Sequence, residues 1–110
     1  MIDWNRVNEL RDEIGIEDFD EIVSLFLDEV ETEITGIKQL ETYMELGEKL
    51  HFLKGSALNL GFEGFAQLCQ QGEDAADRGD HDKIDPELVV QSYFTSKTLF
   101  LGGLENRLPT

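Results

Sequence analysis

This chain predicts an all-α fold: an antiparallel four-helix bundle with an additional short helix at its N-terminal end. Three observations lead there. Apolar residues recur every three or four positions in four long stretches, no stretch shows sustained apolar–polar alternation, and glycines and a proline separate the stretches at short intervals. Helices of this length on short connections bury their apolar stripes against one another.

Asp3 is placed to cap a first helix, in which Trp4, Val7, Leu10, Arg11 and Ile14 follow at helical spacing until Gly15 stops it. Asp18 is expected to open a longer second helix. Its stripe of Phe19, Ile22, Val23, Phe26, Val30, Ile34 and Ile37 keeps the 3.6-residue period, Gly36 weakens its end, and it closes near Leu40. Thr42 is the expected cap of the third helix, about 42–59, with Gly61 as the turn residue behind it. A fourth helix from Phe62 to about Asp77 turns Phe65, Leu68, Cys69, Gly72 and Ala76 inward. Arg78-Gly79-Asp80-His81-Asp82 is then a polar turn, in which His81 is read as a solvated loop residue. Asp85-Pro86 supplies an N-cap and a first-turn proline for the last helix, with Val89, Val90, Tyr93, Phe94, Phe100, Leu101 and Leu104 inward. Gly102-Gly103 is expected to loosen or break that helix, and Pro109-Thr110 to fray.

The third helix carries the stretch around which the chain is organised, His51-Phe52-Leu53-Lys54-Gly55-Ser56-Ala57-Leu58-Asn59-Leu60-Gly61. Leu46, Leu50, Leu53, Ala57 and Leu60 make its core stripe, and at about 100° per residue His51 points roughly 120–140° away from the stripe's centre. His51, Lys54, Gly55 and Leu58 share the other side. A solvent-facing imidazole is a nucleophile near neutral pH, since its ordinary pKa is about 6.5. An ammonium one turn away can hold the oxygens of an arriving phosphoryl group. A helix-interior glycine costs roughly 1 kcal/mol against alanine, and close approach of a partner is one reason to keep Gly55.

His-Phe-Leu-Lys-Gly-Ser-Ala-x-x-Leu-Gly resembles the signature of histidine-containing phosphotransfer (HPt) domains, the phosphoryl carriers of multistep His–Asp phosphorelays, with His51, Lys54, Gly55, Ser56, Ala57, Leu60 and Gly61 all in register. The resemblance implies that His51 is the phosphoacceptor and that Lys54 steers the phosphoryl group. It also implies a Gln or Glu on the next helix that orients the imidazole. By register that residue is Glu73, with Gln70, one turn earlier, as the alternative. The implied partners are response-regulator receiver domains, from which His51 accepts and to which it returns the phosphoryl group, and a hybrid histidine kinase as a further candidate. Mg²⁺ is expected on the receiver, and no cofactor or metal on this chain. Met44, Gly47, Glu48, Gly55 and Leu58 are the candidate docking residues around His51. Such a protein is a carrier working with a partner, not an enzyme acting alone.

Composition agrees with this reading. At 110 residues the chain is expected to be a single domain, 1–110. A net charge of −15 argues against a nucleic-acid binder and against an anionic membrane surface. No apolar run approaches a membrane span, and Met1-Ile2-Asp3-Trp4 does not begin a signal peptide. The lone Cys69 excludes an internal disulfide and fits a cytoplasmic location. With one semi-apolar patch, assigned to the partner, a monomer is expected.

Two rivals come from other classes. One is a non-catalytic acidic helical adaptor whose histidine is incidental. The other is a metal-binding bundle built on Glu48-x-x-His51, the spacing of di-iron bundle proteins. It lacks the second copy such sites need: three residues before His81 stands Arg78. Ser56 has no triad partners, and no glycine-rich nucleotide loop is present.

Overall fold

The computed structural model describes residues 2–40 and 42–107, with 43, 81 and 105–107 by backbone alone. A short helix, α1 (Trp4–Ile14), precedes four long ones: α2 (Ile16–Thr35), α3 (Tyr43–Leu60), α4 (Glu63–Arg78) and α5 (Pro86–Arg107). Single 3-10 turns, Ile37–Gln39 and His81–Lys83, bridge α2 to α3 and α4 to α5, and no strand occurs among the described residues. The four long helices form the expected antiparallel bundle, 48 × 21 × 21 Å in extent, and α1 lies across one end.

Local chemistry sets the boundaries. Asp3 Oδ1 accepts the Arg6 backbone N–H at 3.3 Å and starts α1. Gly15, at φ +96°, both ends α1 and starts α2, so α2 begins two residues before the expected Asp18. Asp18 and Glu17 instead occupy its first turn, where carboxylates complement the helix dipole. Thr42 and Glu45 form a reciprocal capping box that fixes the start of α3. Asp85 Oδ1 accepts from the backbone N–H groups of Glu87 and Leu88 and starts α5.

The stripe of α3 is buried as expected, with Leu46, Leu50, Leu53, Ala57 and Leu60 all in the core. Around it close Phe19, Phe62, Phe65, Tyr93 and Phe100, the last edge-on to Phe62 at 5.2 Å. Tyr93 is fully buried, and its hydroxyl donates to Glu31 at 2.8 Å, a carboxylate that also takes Lys97 at 2.7 Å. These bonds tie α5 to α2.

Two expectations for α5 are corrected. The helix runs unbroken through Gly102-Gly103, because Gly103 is a seat and not a break: a Cβ there would overlap the ring of Trp4, which stacks on Phe100. Phe94 and Leu101 are exposed, while Ser96 is buried. The buried set Val89, Tyr93, Ser96, Phe100 and Leu104 keeps one helical phase, and Phe94 and Leu101 stand about 100° off it. Pro109 and Thr110 lie outside the described residues, as does the His81 side chain.

Candidate functional site

The most intimate helix contact is between α3 and α4, and it is made possible by missing side chains. A Cβ on Gly72 would sit 2.7 Å from Leu50 Cδ1, and one on Gly47 would sit 3.3 Å from the Ala76 Cβ. Gly47 therefore has a reason inside the fold, the close approach of α4. This need is separate from the docking role expected for it, and its backbone lines the groove beside His51.

Burial of the α3 stripe turns His51 outward, with 70 % of its side chain exposed. Met44 and Leu58, about two turns before and after it, are 77 % and 54 % exposed, and Glu48 and Gly55 lie exposed between them. An open groove runs from His51 toward α4, lined by Met44, Gly47, Glu48, Glu73, Ala76 and Asp77.

From α4, Glu73 reaches back to α3. Its Oε1 lies 2.8 Å from His51 Nδ1, and its Oε2 accepts from Lys54 Nζ at 3.0 Å. Gln70, the alternative orienting residue, takes Lys54 instead, its Oε1 accepting from Nζ at 2.8 Å. Asp74, not singled out in the sequence, accepts from the Gln70 amide at 2.8 Å and so turns its oxygen toward the lysine. The spacing of Gln70 and Asp74, one helical turn apart, was the available signal.

This chain of bonds assigns the imidazole tautomer. Burial pushes the Glu73 carboxyl up, but hydrogen bonds from Lys54 and His51, with the Lys54 charge, outweigh it and leave the group below its ordinary 4.5. Near neutral pH it is an acceptor only, so Nδ1 carries the proton and Nε2 presents its lone pair to solvent. Nitrogen-15 NMR is expected to find neutral His51 as the Nδ1–H form, and Glu73→Ala to populate both forms. A depressed folded-state pKa means that the stability this carboxylate adds is fully present above about pH 4.5 and is lost as pH falls through the folded value. A Glu73 titration midpoint above 4.5 would contradict the arrangement.

Gly55 differs from Gly47 and Gly72. A Cβ built on it meets nothing within 4 Å. Gly55→Ala is accordingly expected to stabilise the fold by about 0.5–1 kcal/mol in urea denaturation. A destabilising result would reveal an internal need that the packing does not contain.

Ser56 is half-buried in α3. Cys69 is fully buried, and burial pushes its thiol up to about 12, as befits a packed apolar residue and not a reactive one. Among the described residues, no three His, Cys, Asp or Glu side chains are grouped so as to hold a metal ion. None of the described helices is long and apolar enough to cross a membrane.

No curated protein and no solved structure matches the chain. A family model described as Hpt domain matches residues 21–107, which takes in most of α2 and all of α3, α4 and α5. With that match over a helical bundle whose third helix carries His51-x-x-Lys54-Gly55-Ser56, the chain belongs to the Hpt domain family, the histidine phosphotransfer modules of phosphorelays.

Proposed function

We propose that His51 accepts a phosphoryl group from the phospho-aspartate of a receiver domain and passes it to an aspartate of the same or another receiver. The observation that carries this is the pairing of Nδ1 with Glu73, which leaves the lone pair on an exposed Nε2.

The Nε2 lone pair attacks phosphorus in line. A P–N bond forms as the P–O bond to the aspartyl carboxylate breaks, and the carboxylate leaves with the electron pair. The ring takes up positive charge while Nδ1 keeps its proton, and the Glu73 carboxylate 2.8 Å away stabilises that charge. Lys54 spends two of its donor directions on Gln70 and Glu73, and its third N–H is the group assigned to the phosphoryl oxygens. In this reading the catalytic Mg²⁺ belongs to the receiver, and this chain contributes no cofactor. The receiver docks along Met44, Gly47, Glu48, Gly55 and Leu58, where the bare backbone of Gly55 admits it closely. A hybrid histidine kinase carrying such a receiver is the upstream partner, and the buried thiol of Cys69 fits a cytoplasmic relay.

The test is transfer from a radiolabelled, phosphorylated receiver, followed by tryptic mapping. Acid-labile, alkali-stable label is expected on residues 50–54, the peptide released by cleavage after Lys49 and Lys54. Label on another peptide, or none with any of several receivers, would reject the reading and favour the adaptor.

A further inference from the structure

The expected monomer rested on a single exposed semi-apolar patch, and the structure exposes a second. Leu88, Phe94, Leu99 and Leu101 of α5 are each between 41 and 51 % exposed. At about 100° per residue, Leu88 and Leu99 form one edge of the outer face of α5 and Phe94 and Leu101 the other. Between the edges lie Gln91, Thr95, Thr98 and Gly102, all short or uncharged. A Cβ built on Gly102 meets nothing within 4 Å, so the fold itself gives no reason for this glycine.

The charge map makes the face distinctive. The chain carries 24 acids, yet none falls in 88–104, its longest acid-free stretch. The one charge in that stretch, Lys97, is taken by Glu31 at 2.7 Å, and Glu87 at the helix start is paired with Lys38 at 2.8 Å. The next longest acid-free stretch, 49–62, is the one that contains His51.

We propose that the outer face of α5 pairs two copies of this chain in a two-fold dimer. A basic partner gains by covering the acidic sides of the bundle and gains nothing on α5. An acidic partner meets repulsion everywhere except on an acid-free face. A second copy is such a partner, and a two-fold axis sets the same neutral face against itself. The face is modest: the acid-free stretch rises about 25 Å along α5, so the contact is a weak one that forms at micromolar concentration, smaller than the roughly 800 Å² per partner of a stable complex. Because α3 packs on α2 and α4, and α5 on α4 and, through Tyr93 and Lys97, on α2, α5 lies diagonally across the bundle from α3. Pairing through α5 therefore leaves both copies of His51 facing outward.

Analytical ultracentrifugation of the full chain, from low to high micromolar and at low and high sodium chloride, tests this. A dimer is expected whose population grows with concentration and also with salt, because screening removes the repulsion between the two −15 bodies. Phe94→Glu and Leu101→Glu change exposed positions, and thermal melts should show both folded. Each is expected to raise the dimer dissociation constant at least about tenfold by placing acid against a desolvated face. Leu58→Glu, on the far side, should leave dimerisation unchanged. A chain that stays monomeric throughout overturns the proposal, as does a dimer indifferent to both α5 variants or dissolved by Leu58→Glu. The readout is mass, so its outcome is separate from whether His51 carries phosphate.

Discussion

His51→Gln is expected to accept no phosphoryl label from any receiver, while its unfolding free energy stays within about 0.5 kcal/mol of the parent chain. The two halves follow from the same geometry. An amide has no lone pair comparable to that of imidazole Nε2, so chemistry should stop outright and not slow by a factor. The side chain is 70 % exposed and makes one hydrogen bond, to a carboxylate whose other oxygen stays with Lys54, so little packing is lost. Radiolabel transfer and urea denaturation on the same preparation check both halves. Residual label on the variant would move the acceptor elsewhere, and a large stability loss would make the histidine a structural residue.

The largest expected stability change comes from Gly61→Ala. Gly61 ends α3 at φ +81°, a conformation that costs an L-residue about 1–2 kcal/mol. A Cβ there would also stand 2.7 Å from the Asp3 carbonyl oxygen and 3.0 Å from Val7 Cγ2. The backbone carbonyl is not the loose end of a flexible side chain, so α1 must back away, loosening the Asp3 N–H bond to Gly61 O at 2.7 Å, itself worth about 1 kcal/mol. A loss of about 2–3 kcal/mol is a large share of the 5–15 kcal/mol typical of a domain, and thermal melting should fall by about 10–20 °C. A loss under about 1 kcal/mol would mean that α1 yields freely.

The third helix could be read from the sequence because everything that defines it is local: the Thr42–Glu45 box, the buried stripe and the Gly61 turn all lie within it or beside it. The HPt resemblance and the bundle were legible for the same reason. What sequence could not decide was rotation and long-range contact. Whether Glu73 or Gln70 meets His51 depends on how α4 is turned against α3, and the answer divides the two, Glu73 to the imidazole and Gln70 to Lys54. Gly103 looks like a helix breaker until Trp4, from the other end of the chain, is placed over it. Gly47 gives no sign in the sequence of its second task, which is to let Ala76 of α4 close in. The inner face of α5 is hard to phase from sequence because apolar residues take up most of its circumference and its polar side, Gln91, Thr95 and Thr98, is narrow and uncharged.

The shared carboxylate of Glu73 bears on how long this carrier holds its load. Phosphorylation brings a group of nearly two negative charges to Nε2. The cation nearest by design, Lys54, is already offset by Glu73, and Glu48 and Asp77 line the groove alongside. On the proposed reading the phosphoryl group therefore arrives on a molecule of charge −15 with little net positive charge to hold it. Its departure relieves that repulsion. Such a site suits a relay stage that is empty most of the time and passes phosphate on quickly, a conduit whose occupancy follows supply and not a reservoir that outlasts the signal.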